Sequence, residues 1–140
     1  MNNPFRIKAL VVYDGIDEEN ATARALRALK QDLEESDVVV EVSQGICDAE
    51  LIVTSDPTVQ CVLVYLDGAD DEKHRRIQHF LELLRGRNHD MPVFLMSNRP
   101  KAAEIPAAIL DKVNDFIWIL EDTSDFISGR ILAAVQRYRE

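Results

Sequence analysis

Five short apolar runs, each followed by a helix-like segment, predict a single α/β domain built on a five-stranded parallel sheet. Two further observations agree. The runs are nearly unbroken in Val, Ile and Leu, as strands covered on both faces require. The segments between them are too long for hairpins, so right-handed crossovers place helices on both faces of the sheet. With 140 residues the chain is long enough to bury one core, and residues 1–140 read as one domain without repeat, linker or low-complexity tract.

Taken in order, the first strand is Ile7 to Tyr13, ending at Asp14-Gly15. Asn20 to Glu35 is helical: Leu26, Leu29 and Leu33 form one stripe, widened by Ala25 and Ala28. Asp37 to Ser43 is the second strand, its valines favouring the extended state because branching at Cβ restricts χ1 in a helix. Cys47 to Thr54 carries the weakest pattern, a short helix that Asp56-Pro57 ends. Cys61 to Leu66 is the third strand, stopping at Asp67-Gly68. Asp70 or Asp71 caps the next helix, which buries Ile77, Phe80, Leu81 and Leu84 and ends near Gly86. Pro92 to Met96 is the fourth strand, with proline at its opening where a missing N–H matters least.

After the Ser97-Asn98-Arg99-Pro100 turn, Pro106 suits the first turn of a short helix carrying Ile109, Leu110 and Val113. Phe116 to Leu120 is the fifth strand. The last helix has Thr123 or Ser124 as cap and Asp125 in its first turn, with Ile127, Ile131, Ala134 (or Val135) and Tyr138 as its apolar stripe. At this size the natural arrangement is flavodoxin-like, with strand order 2-1-3-4-5.

Net charge is −9, from 25 acidic against 16 basic residues, which disfavours nucleic acid and anionic membrane as partners. Lys73, Arg75, Arg76, Arg85 and Arg87 cluster in sequence, and solvated helix faces account for them. Cys47 and Cys61 lie inside apolar stretches without disulfide or metal spacing, so both are expected to be reduced core residues. The opening MNNPFRIKAL has no apolar run of secretory-signal length, and no stretch approaches a membrane span. The expected compartment is the cytoplasm.

Ligands of open α/β sheets bind outside the carboxyl ends of the strands, which here present Asp14, Ser43, Asp67, Ser97 and Glu121. Asp14, Asp67 and Ser97 invite comparison with phosphoacceptor receiver domains, as metal acid, acceptor and hydroxyl respectively. Such a site also needs a lysine after the fifth strand, where this chain has Ile119-Leu120-Glu121-Asp122. Acids there repel a phosphorylated form, so Asp14, Asp67 and Ser97 are expected to be a vestige of that pocket. His74, His79 and His89 lack metal-like spacing, and neither a G-x-G-x-x-G nor a P-loop follows any strand. Ser43 and Ser97 lack a nucleophile-elbow context, and no lysine sits in a Schiff-base setting. Trp118 is expected in the core. No catalytic, cofactor-binding or metal site is expected.

The tracts MPVFLMSNR (Met91 to Arg99) and FIWILEDTSDFISGRILAAVQRYR (Phe116 to Arg139) resemble the N-terminal domain of bacterial inducible Orn/Lys/Arg decarboxylases. The similarity is greatest to the biodegradative arginine branch, through W-I-L-E-D-T-x-D-F-I-x-G-R at Trp118 to Arg130, whereas Asp14 to Asp71 is only loosely similar. The resemblance implies a receiver-like wing domain in front of a core that binds pyridoxal phosphate and carries the Schiff-base lysine and the decarboxylation chemistry. It implies as partners that catalytic core and neighbouring subunits, in homo-oligomers that are typically decameric. It carries over no catalytic residue.

It also gives the acidity a meaning, since wings of like charge repel less once carboxylates protonate. Asp17-Glu18-Glu19, Glu34-Glu35 with Asp37, and Asp70-Asp71-Glu72 are the candidate clusters, against ordinary acidic surface. The alternative to a decarboxylase wing is a stand-alone pseudo-receiver that binds a signalling partner or small ligand.

Overall fold

The computed structural model describes residues 7–13, 19–66, 71–97 and 105–139. Ten elements alternate: β1 (Lys8–Val12), α1 (Ala21–Glu35), β2 (Val39–Ser43), α2 (Ile46–Ser55), β3 (Cys61–Tyr65), α3 (Asp71–Arg87), β4 (Val93–Ser97), α4 (Ala107–Leu110), β5 (Asp115–Trp118) and α5 (Ser124–Arg139). All neighbouring strands pair parallel, in the order β2-β1-β3-β4-β5. The fold class and strand order are those predicted from the alternation of apolar runs.

Side chains alternate along each strand, so the sheet divides the core in two. On one face Leu10, Val12, Val62, Val64, Val93 and Leu95 meet Ala49 of α2, Ile77, Phe80, Leu81 and Leu84 of α3, and Ile109 of α4. On the other, Ala9, Val11, Leu63, Phe94 and Ile117 meet Leu26, Leu29 and Leu33 of α1 and Ile127, Ile131 and Val135 of α5. β1, β3 and β4 are interior strands, and their residues from Ala9 to Val12, Cys61 to Val64 and Val93 to Ser97 are all buried. That is why their sequences read as unbroken apolar runs.

Several boundaries and placements differ from the sequence reading. The second strand starts at Val39, because Asp37 closes α1 in the left-handed region with φ 69° and Val38 donates back to Leu33. α3 runs through Gly86 to Arg87, and the Asn88 backbone N–H donates to the Leu84 carbonyl at 2.8 Å. Pro106 precedes α4 at its cap position and the helix closes at Leu110, so Val113 lies beyond it. The fifth strand spans Asp115–Trp118: Glu121 and Asp122 both donate backbone N–H groups to the Trp118 carbonyl, so Ile119 and Leu120 lie in a turn rather than in the strand. α5 begins at Ser124, with the Thr123 carbonyl accepting from Ile127, so Thr123 holds the cap position. Asp70 lies outside the described residues, and Asp71 is the first residue of α3.

Of the two cysteines only Cys61 is buried. Cys47 is exposed because α2 turns Ala49 inward and Cys47 outward. Ala28 likewise faces solvent, outside the buried stripe of α1. Trp118 is half-buried, its ring centroid 4.4 Å from that of Phe116 on the same side of β5.

Candidate functional site at the carboxyl edge of the sheet

β1 pairs with β2 on one side and β3 on the other, so consecutive crossovers leave in opposite directions between β1 and β3. Ligand crevices form at such a switch point. Here a cavity of ≈390 Å³ lies beside the ends of β1 and β3, between the start of α2 and the first turns of α3. Tyr13 and Tyr65 line it with rings 4.9 Å apart, edge to face, and Gly45, Cys47, Lys73 and Arg76 complete its rim.

Among the described residues its charges nearly cancel. Lys73 and Arg76 are positive, but Arg76 is held by Glu72 at 2.9 Å, and Asp48 lies at the start of α2. The Asp48 carboxylate accepts the Gln44 backbone N–H at 3.2 Å and faces the positive end of the helix dipole. Gly45, with φ 139°, is the one described glycine in the left-handed half of the backbone map, where a side chain brings strain.

Of the three residues expected to mark a receiver-like pocket, Asp14 and Asp67 lie outside the described residues. Ser97 ends β4 fully buried, and its backbone carbonyl accepts the Ile119 N–H at 3.0 Å. Ser97 pairs in register with Trp118, and the chain continues through buried Ile119 and exposed Leu120 and Glu121. Asp122 faces Arg130 at 3.8 Å. No cationic side chain is present in the sequence between Asn114 and Ser128. Ser43, at the end of β2, has a setting that the sequence does not reveal. It is fully buried, and its hydroxyl has no hydrogen-bond partner among the described residues.

Elsewhere several polar side chains hold the fold together. Arg130 of α5 bonds to the Asp115 carboxylate and donates to the Phe116 carbonyl at 3.2 Å, with its guanidinium 5.6 Å from the centroid of the Phe126 ring. Arg130, the last residue of the tract Trp118 to Arg130, thus binds the edge strand β5 to α5. Among the described residues no group of three or more His, Cys, Asp or Glu side chains is placed to hold a metal ion. No described helix is long and apolar enough to cross a membrane.

A Schiff-base lysine must be neutral at its working pH, which calls for burial or a nearby cation. Lys8 fits poorly: its bond to Asp56 raises its pKa above 10.5. Lys30 is held by Glu34 at 3.0 Å, Lys112 donates to the Ala108 carbonyl at 3.2 Å, and Lys73 is exposed. These lysines do not fit the attachment of pyridoxal phosphate, and no step of its chemistry is assigned to them. Burial pushes the Cys61 thiol far up, so it is an unreactive core group.

Comparison with known proteins gives this arrangement a context. The family profile described as Orn/Lys/Arg decarboxylase, N-terminal domain, matches residues 21–138. The biodegradative arginine decarboxylase of Escherichia coli (strain K12) is 32% identical over 136 residues, covering 96% of this chain and 18% of that protein. Among solved structures, lysine decarboxylase A from Pseudomonas aeruginosa superposes with a TM-score of 0.84 at 18% identity, over 96% of this chain and 19% of that one. A CheY-like response regulator receiver domain protein from Methanospirillum hungatei gives 0.70 at 12% identity, over 96% of this chain and 97% of its own. The receiver likeness is one of fold. The chain spans less than a fifth of the length of the decarboxylases it matches. With a family profile over most of its length and a relative about one-third identical, the chain belongs to the Orn/Lys/Arg decarboxylase N-terminal domain family.

Proposed function

We propose that this chain is the non-catalytic N-terminal domain of a pyridoxal-phosphate-dependent decarboxylase of basic amino acids, acting in the cytoplasm. Arginine is the favoured substrate of the whole enzyme, and the carrying observation is the 32% identity to an arginine decarboxylase over 96% of this chain. The catalytic core, with its cofactor, belongs to the longer polypeptide. The domain serves assembly, contacting that core and neighbouring subunits of a homo-oligomer.

Two features of the surface support an assembly role. Leu120 and Phe126 expose 47% and 57% of their surfaces around the turn into α5, within the family-specific tract. Exposed apolar groups of this size suit contact with protein rather than water. Acidic side chains also crowd the described surface, including exposed Glu34, Glu35 and Asp37 at the end of α1. With a net charge of −9, neutral pH opposes close approach of copies, and acid relieves that repulsion.

The reading is tested on the full-length polypeptide. Decarboxylation of arginine, faster than of lysine or ornithine, supports it, and a polypeptide without lyase activity overturns it. Sedimentation between pH 8 and pH 5 tests the assembly role separately: growth of the oligomer with acid is expected, and a size independent of pH contradicts regulation by charge.

A further inference from the structure

The amino ends of the strands carry a second feature, at the opposite edge of the sheet from the switch-point cavity. α5 runs back from the carboxyl edge, and its last turn arrives beside the segments that lead into β3 and β4. There the Tyr138 hydroxyl accepts from the Asn88 side-chain amide at 2.6 Å. Tyr138 stands between two grooves. One, of ≈410 Å³, has Val53, Val59, Leu84 and Met91 at its floor, with Gln60 among its polar groups. The other, of ≈460 Å³, lies on the opposite side of Tyr138, next to Pro92 and Asn114.

Gln60 sets the first groove apart. Its backbone N–H is satisfied by the Lys8 carbonyl at 2.9 Å, but its side-chain amide oxygen is buried and without a hydrogen-bond partner among the described residues. Buried acceptors are normally paired. A turn of this half-buried side chain toward the groove presents the oxygen to an incoming backbone N–H, above a floor that accepts an apolar side chain.

We infer that this groove seats the polypeptide that follows the domain, as an extended segment that leaves α5, passes Tyr138 and hydrogen-bonds to Gln60. The inference rests on the proposed function, in which this is the first domain of a longer chain. Its occupant is chosen on position and length. The family domain is N-terminal, and the decarboxylases it matches are more than five times as long as the matched region. Their remaining chain therefore departs from the end of α5, between these grooves. The groove also offers what an extended segment needs, an apolar floor for one side chain beside an acceptor for its backbone.

Amide hydrogen exchange on the full-length polypeptide and on residues 1–140 alone tests this. At Thr58 to Gln60 and at Asp90 to Met91, exchange is expected to be at least ~10-fold slower in the full-length polypeptide. Gln60→Ala should remove most of that difference in the full-length polypeptide and leave residues 1–140 unchanged. Equal exchange in the two polypeptides overturns the inference, as does protection that Gln60→Ala does not alter. Arginine decarboxylation by the same full-length sample reports on the proposed function: activity without groove protection sinks the inference alone, and a polypeptide lacking a decarboxylase core sinks both.

Discussion

Arg85 gathers four acceptors that the sequence leaves far apart. It donates to the carbonyls of Lys112 and His89 at 2.9 Å, to the Met91 carbonyl at 2.7 Å and to the Asn114 side-chain oxygen at 2.8 Å. That same Asn114 oxygen accepts the Val93 N–H, so one guanidinium fixes the approach to both β4 and β5. Only a planar fork reaches so many directions at once. Arg85→Ala is expected to cost ~2–4 kcal/mol in urea denaturation, since it leaves part-buried carbonyls without donors. Arg85→Lys should recover less than half of that.

Ser43 works in the other direction. Its buried, unpartnered hydroxyl carries a desolvation cost, so Ser43→Ala should raise stability by ~0.5–1 kcal/mol. A loss on this substitution would show that the hydroxyl has a partner in solution.

Lys8 and Asp56 give the residue scale its pH dependence. The Lys8 ammonium, with help from Thr58, holds the Asp56 carboxyl down at about 2, against 3.8 ordinarily. A depressed carboxylate contributes stability that is complete above its unfolded value and disappears as pH falls through the folded one. Lys8 is shifted upward, and its contribution is present below pH 10.5 and lost only above it. The pair therefore acts in full from about pH 5 to 10. Asp56→Asn should lower stability at pH 6, and the deficit should shrink toward zero as pH falls from 4 to 2. A deficit unchanged at pH 2 would assign the loss to packing.

At the scale of elements, β5 is one of the two edge strands of the sheet, and few residues hold it. α4 has only four residues, and β5 itself has four, so Arg130 carries much of the burden of holding this edge to α5. Its pairings with Asp115 and Asp122 are partly exposed, which limits what the charges contribute. Arg130→Ala is expected to cost ~1–2 kcal/mol and to raise exchange at Phe116 and Trp118 before it affects β1. Uniform loosening of all five strands would contradict a local clamp.

The elements also show what can be read from sequence. β1, β3 and β4 were plain because burial on both faces leaves no polar positions to blur the pattern. The end of β5 was not. Ile119 is buried like a strand residue, and only the bonds from Glu121 and Asp122 to the Trp118 carbonyl reveal the turn. Cys47 looked like core because its neighbours Ile46 and Ala49 are inward, and a helix this short gives too little periodicity to separate them. The Arg85 and Arg130 networks join residues up to 29 positions apart, which no local pattern encodes. At the candidate site, Ser97 was legible as the end of an apolar run, whereas the unpartnered hydroxyl of Ser43 depends on what packs above it.

For the whole molecule, the fold of a receiver and the family of a decarboxylase coexist in one domain. The fold places a crevice at the β1–β3 switch point, but its described charges nearly cancel, and the turn after β5 has acids where a phosphoryl site needs a cation. The surface bears the other signs, exposed Leu120 and Phe126 together with a strong net negative charge. On these features the proposed assembly role rests.

The most direct test of that account is sedimentation velocity of the full-length polypeptide with and without residues 1–140, at pH 5. The account predicts that removing the domain reduces the oligomer to a smaller unit. An oligomer of unchanged order after the deletion would contradict it.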